Sequence, residues 1–301
     1  MDCKAKRHRV SWSVSMSQPF PTQHVTRMPH SPLALSCLAA SALLLTSCAT
    51  KSPQALTWEA QLGPVPTTPI TLPQLHQMVR VKSDPIRKGS YGRRLDRPMV
   101  PKYITIHSTQ NYTGDAYAHA KALKNGALRG GVCGYLCWHF TVQDDAVVQH
   151  IPTNERGEHA DFDGPGNRYS IGIEMCEHKG NNQAKTIDRT AQLAASLMYY
   201  HKIPLSNVVP HYHWPREGYN PAHKDCPHFL LENGQPGATW KWFLSRVERH
   251  YRRIQAPKNG PHQLASAPIP TPVPAPLSTG LMPIAQVGTD NSRRPTLLGV
   301  D

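Results

Sequence analysis

Prolines crowd toward both ends of this chain, and that distribution limits what it can fold into. With 29 prolines and 20 glycines in 301 residues, one packed core fits better than two. Between the proline-rich ends, helix and strand signals alternate. Strands are expected at 103–107, 138–143, 146–151 and 170–175, with Asp144-Asp145 turning the middle pair into a hairpin. A short helix is expected from Asp115 to Lys124, with Asp115 at its start and Asn125-Gly126 as its stop. Two more are expected at 187–201 and 240–253, where small and apolar residues recur with helical spacing. The expected architecture is therefore α/β: a single mixed sheet packed by helices over residues 89–254, with Pro-rich extensions at both termini.

Residues 49–88 hold Pro53, Pro64, Pro66, Pro69, Pro73 and Pro85 with little apolar periodicity, and read as an extended tether. Residues 255–301 have too few large apolar side chains to offset the entropy of ordering, and read as disordered. The net charge of +13 suggests an anionic surrounding. There is no Gly-rich phosphate loop, no paired metal-finger spacing and no basic stripe with interleaved aromatics, so nucleic acid is not expected as a partner.

From Ser31 to Ala49 no residue is charged, and the leucine-rich run is too short to cross a bilayer; it fits the apolar region of a signal peptide over 28–48. Its end, Leu45-Thr46-Ser47-Cys48, resembles the lipobox of bacterial lipoproteins, which implies acylation of Cys48 and a membrane lipid anchor. Residues 1–27 form an upstream extension, and translation could start at Met16 or Met28.

The chemistry-bearing residues sit at breaks in this pattern. His107 ends Tyr103-Ile104-Thr105-Ile106-His107, whose alternation puts Tyr103, Thr105 and His107 on one face and the isoleucines on the other. His211 follows the short apolar run Val208-Val209-Pro210, and Cys226 lies in Lys224-Asp225-Cys226-Pro227. Two imidazoles and a thiolate suit zinc and leave a fourth tetrahedral position open, the mark of a catalytic site. Glu174 ends Ser170-Ile171-Gly172-Ile173-Glu174, where a carboxylate near a metal could accept a proton from water, and Lys224 could stabilise an oxyanion.

Together with His159-Ala160 and His211-Tyr212-His213-Trp214, these motifs resemble the zinc-dependent N-acetylmuramoyl-L-alanine amidases of the phage-lysozyme and peptidoglycan-recognition-protein superfamily, over about residues 100–254. The resemblance implies hydrolysis of the amide between N-acetylmuramic acid and L-alanine in peptidoglycan or muropeptides. It also implies Zn²⁺ on His107, His211 and Cys226, catalysis by Glu174 and Lys224, and a substrate pocket involving His159, Trp138 and His139. The family pattern has an acidic residue where His213 stands, which leaves His213 or His223 as alternative ligands, and Trp138 stands where one branch has tyrosine. Cys133 and Cys137 could pair with each other or with Cys176. The expected location is the cell envelope, on the inner face of an outer membrane. The rival expectation is a non-catalytic peptidoglycan-binding lipoprotein that keeps the fold and binds no metal.

Overall fold

The computed structural model describes residues 51–255; the proposed signal segment, Cys48 and the expected C-terminal tail from residue 256 lie outside them. Six strands form one sheet in the order β1-β4-β3-β5-β2-β6: β1 (Val81–Ser83), β2 (Tyr103–Ser108), β3 (Phe140–Val142), β4 (Val147–Gln149), β5 (Ser170–Met175) and β6 (Val208–Pro210). Only the β3–β4 hairpin is antiparallel; β3, β5, β2 and β6 run in parallel, so their C-terminal ends share one edge.

The central strands are covered on both sides, which is why β2 and β5 are nearly continuous in burial. Their alternation still sorts two chemistries. Ile104, Ile106, Ile171 and Ile173 join the main core with α5 (Gln183–His201) and α6 (Ala238–Arg252). Thr105, His107, Gly172 and Glu174 stand on the opposite face, with Thr105 beside Gly172 and His107 beside Glu174 in register. The helix α3 (Ala116–Lys124) forms as expected, its first turn capped by the Asp115 carboxylate accepting from the Ala118 N–H at 2.7 Å.

The tether expected over 49–88 is folded instead. Helices α1 (Pro53–Leu62) and α2 (Leu72–Val79) lead into β1, which pairs with β4 at the sheet edge. The prolines mislead because two of them open helices. Pro53 and Pro73 lie in first turns, where a missing N–H costs nothing, behind the caps Ser52 and Thr71. Thr71 and Gln74 complete a reciprocal capping box, and Gly63, at φ +68, ends α1 in a conformation that disfavours other residues. Ala55, Trp58, Leu75 and Val79 then enter the main core, with Trp58 against Trp242 at 5.5 Å and Phe229 at 6.1 Å. Each large side chain buried this way contributes about 1.5–3 kcal/mol, which outweighs the sparse periodicity of the segment. The short fourth helix, α4 (Pro165–Tyr169), precedes β5.

One buried ionic cluster ties this segment to the rest. Arg246 of α6 donates to Asp188 of α5 at 2.6 Å and to the Gly63 carbonyl at 3.1 Å, and His250 Nε2 donates to Asp188 at 2.9 Å. Burial works against ionisation of Asp188, but the hydrogen bond and charge of His250, with Arg246, outweigh it and hold the carboxyl down to about 2. A depressed carboxylate contributes stability above its ordinary value of 3.8 and loses it as pH falls through about 2. The contribution is on the order of 2 kcal/mol. In urea titrations from pH 5 to pH 2, the stability gap between wild type and Asp188→Asn is expected to narrow with falling pH; a gap that does not change with pH would count against this coupling.

Candidate metal centre

The parallel edge gathers the site. His107 arrives at the end of β2, His211 opens a 3-10 turn directly after β6, and Cys226 comes from the loop before Leu230. All three are buried, and one donor atom from each lies within 4.8 Å of the others. His107 Nδ1 and His211 Nδ1 are 2.9 Å apart, near the edge of about 3.3 Å that a tetrahedron with 2.0–2.1 Å metal–nitrogen bonds would have.

The outer hydrogen bonds decide which nitrogens carry protons. His211 Nε2 lies 3.2 Å from the Ala160 carbonyl, and His159 Nε2 lies 3.3 Å from the Ser170 carbonyl; carbonyls only accept, so both Nε2 atoms are protonated. That leaves His159 Nδ1 as the acceptor for His107 Nε2–H at 3.0 Å. Burial pushes His107 well below its ordinary range, His211 down to about 3 and His159 to about 4, so all three rings are neutral near pH 7. The consequence is two bare lone pairs, on His107 Nδ1 and His211 Nδ1, facing each other at 2.9 Å. Two acceptors so placed repel unless a cation lies between them. The donor set therefore fits a metal ion, and two nitrogens with one sulfur suit zinc.

Cys226 accepts from the Ser108 backbone N–H at 3.3 Å. Burial, reinforced by Glu174, pushes its thiol up to about 12 even though Lys224 pulls the other way. Glu174 stands beside His107 with one oxygen 3.8 Å from Nδ1, and its other oxygen is buried with no partner. Burial raises its carboxyl to about 7, against the lowering charge of Lys224 and with a further push from Glu177. It is thus poised to gain or lose a proton near neutrality. Lys224 is half-buried, and its charge acts on Glu174, His107, His211 and Cys226 together.

Three residues expected in a substrate pocket stand elsewhere. His159 lies behind His107, edge-on at 5.0 Å, where it fixes the ring from the rear. His139 is fully buried; its Nδ1 accepts from the Gly172 N–H and its Nε2 donates to the Glu155 carbonyl, each at 2.9 Å. Trp138 packs among Ile86, Leu123, Cys137 and Ile151 and donates to Thr141 at 2.7 Å. The polar atoms of all three are used inside the protein. The alternative ligands also stand apart: His213 and His223 are exposed, the latter bonded to the Tyr212 carbonyl at 2.7 Å. Cys133, Cys137, Cys176 and Cys226 are all unpaired.

Sequence reasoning missed the supports. Gly172 leaves room for His159, since a Cβ there would meet three atoms of the imidazole at 2.8 Å; a lone glycine among isoleucines was the available signal. The carbonyls of Ala160 and Ser170 and the N–H of Ser108 act through backbone atoms, which side-chain identity does not mark.

Two imidazoles and a thiol that could hold a cation, beside a carboxyl that burial raises to about 7, form the kind of arrangement a metal-dependent hydrolase uses. Residues 96–229 match the family model for N-acetylmuramoyl-L-alanine amidases, Amidase_2. Among curated relatives, N-acetylmuramoyl-L-alanine amidase XlyA of Bacillus subtilis (strain 168) is 41% identical over 173 residues, 56% of this chain and 52% of its own length. CwlH of the same strain is 38% identical over 174 residues, 56% of this chain and 62% of that one. The chain thus spans between half and two thirds of these relatives. Among solved structures, a mutant endolysin from Bacillus subtilis is 40% identical, with 56% of this chain and 99% of that chain covered and a TM-score of 0.48. The catalytic domain of XlyA is 39% identical, with the same coverage and a TM-score of 0.46.

Proposed function

We propose that the protein hydrolyses the amide between N-acetylmuramic acid and L-alanine in peptidoglycan, with zinc held by His107, His211 and Cys226. The observation that carries this reading is the pair of opposed imidazole lone pairs beside Cys226 and the unpartnered oxygen of Glu174, inside an amidase-family domain. Held by His107, His211 and Cys226, a zinc ion would supply Lewis acidity toward the scissile carbonyl and toward the attacking water.

The chain's own groups supply the rest. Glu174 accepts the proton of the attacking water at its free oxygen and then passes it to the departing amine. A carboxyl at about 7 suits both halves of that transfer, because it is neither too strong an acid to take the proton nor too weak to return it. The ammonium of Lys224 biases the site toward the oxyanion that develops on the carbonyl oxygen. His159 and the Ala160 carbonyl keep the two imidazoles turned so that their Nδ1 lone pairs stay inward.

The test is mass spectrometry of muropeptides after digestion of purified peptidoglycan. Glycan without peptide, together with stem peptides beginning at a free L-alanine amine, is the expected product pair. Cuts within the stem peptide would replace this reading with a peptidase.

We further propose that the chain is a lipoprotein acylated at Cys48 and held at the inner face of an outer membrane, where its net charge of +13 favours the anionic wall. Cys48→Ser is expected to move the protein from the membrane to the soluble fraction and to abolish labelling by a fatty-acid analogue. Equal fractionation of the two forms would rule the anchor out.

A further inference from the structure

The two imidazoles that face each other at the centre come from different strands, yet their outer contacts share one short stretch of chain. His107 Nε2 donates to His159 Nδ1 at 3.0 Å, and His211 Nε2 donates to the Ala160 carbonyl at 3.2 Å. Residues 159 and 160 belong to no strand or helix, so sheet pairing does not hold them in place. A buried side chain of α4, Asn167, does. Its Oδ1 accepts from the N–H groups of both His159 and Ala160, each at 2.8 Å.

The amide of Asn167 is itself fixed from the other side. Its Nδ2 donates to the Phe162 carbonyl at 2.7 Å and to the Glu158 carboxylate at 3.4 Å, so both donors and both lone pairs of the side chain are used inside the protein. Asp161 returns the bond, its carboxylate accepting from the N–H of Asn167 at 2.9 Å and of Gly166 at 2.8 Å. The fit is tight: a Cβ on Gly166 would meet atoms of Ala160, Asp161 and Trp214, each at 2.9 Å. Within this closed ring of hydrogen bonds Phe162 sits at φ +59, a left-handed backbone that a bulky residue adopts only where its surroundings impose it. The loop is therefore held in one shape.

We propose that Asn167 is a positioning residue for the metal centre: through one oxygen it sets the place of the His159 ring and the direction of the Ala160 carbonyl, and so keeps the Nδ1 atoms of His107 and His211 turned toward each other. The proposal rests on the metal reading of that centre. Asn167 bonds to neither of the two imidazoles, so its whole effect passes through residues 159 and 160.

Two variants test it. Asn167→Ala removes the acceptor and strands two buried N–H groups, whereas Asn167→Asp keeps the shape but sets a second oxygen against the Phe162 carbonyl and the Glu158 carboxylate. Zinc affinity of the full chain, measured by competition with a chromophoric chelator, is expected to weaken about 10–100-fold in each, the range for loss of an outer-shell partner. Nitrogen NMR of the isotope-labelled, metal-free chain gives a reading free of both turnover and zinc. His159 and His211 should carry their protons on Nε2 in wild type, and His211 should become a mixture of tautomers in the variants. Asp188→Asn, which weakens the ionic cluster between α5 and α6, is the control and should leave both readings unchanged.

A mixture of His211 tautomers already present in folded wild type would overturn the proposal without any variant. Unchanged zinc affinity in whichever variant circular dichroism shows to be folded would do the same. Weaker zinc with unchanged tautomers, or an equal loss in Asp188→Asn, would reduce Asn167 to a support of the fold and also overturn it. If wild type binds no zinc but the His211 tautomer still changes in the Asn167 variants, the bracing stands and the zinc reading falls.

Discussion

Zinc content is expected to drop from about one per chain to almost none when Cys226 is replaced by alanine. The reasoning starts from the charge balance of the centre. His107 and His211 are neutral, so the thiolate of Cys226 is the only donor among the three that can bring negative charge to the cation. Because burial otherwise holds that thiol protonated, the cation and the thiolate depend on each other. Removing an outer-shell partner of a metal ligand costs about 10–100-fold in affinity, and loss of a direct ligand should exceed that. Elemental analysis after dialysis against a weak chelator gives the answer, with circular dichroism confirming that the variant is folded. Stoichiometric zinc in folded Cys226→Ala would mean that the ion binds elsewhere.

The second large effect is expected in turnover. Glu174→Gln preserves shape and packing but replaces the free, buried oxygen with a group that cannot take a proton. Removing a general base costs roughly 10²–10⁴ in rate. The variant should therefore keep its zinc and its substrate affinity while kcat falls by that factor. A residual rate within a few-fold of wild type would reduce Glu174 to a structural neighbour of His107, and a parallel loss of zinc would mean that it helps bind the ion.

The sheet was legible because its central strands alternate cleanly. Tyr103 to His107 and Ser170 to Glu174 each separate isoleucines from polar residues, and the structure sets them side by side with His107 against Glu174. The helix after Asp115 was legible from its cap and its Asn-Gly stop. The start of α5 was not: its first four residues, Gln183, Ala184, Lys185 and Thr186, show no apolar stripe, and the Asn182 cap is the only local sign. β1 escaped notice because three exposed residues carry no alternation at all. Within the site, strand-end position and the Lys-Asp-Cys-Pro turn marked the three residues that the fold brings together. His159, His139 and Trp138 could be found by type but not by orientation. Whether a histidine faces a groove or the back of another histidine depends on which backbone carbonyls lie nearby, and sequence does not encode that locally.

Were Cys48 acylated as proposed, the early start of α1 would set how far the domain can stand from a membrane. Helix α1 starts at Pro53 behind the Ser52 cap, five residues after the proposed acylated Cys48. Five residues span at most about 17 Å even when fully stretched, whereas an unfolded connection reaching residue 89 would have allowed about 140 Å. An enzyme on so short a leash would sweep only the layer of wall polymer nearest the bilayer. Its access to substrate would then depend on how closely membrane and wall approach each other, and lengthening that leash by inserted residues, with the site untouched, should widen the zone it can clear.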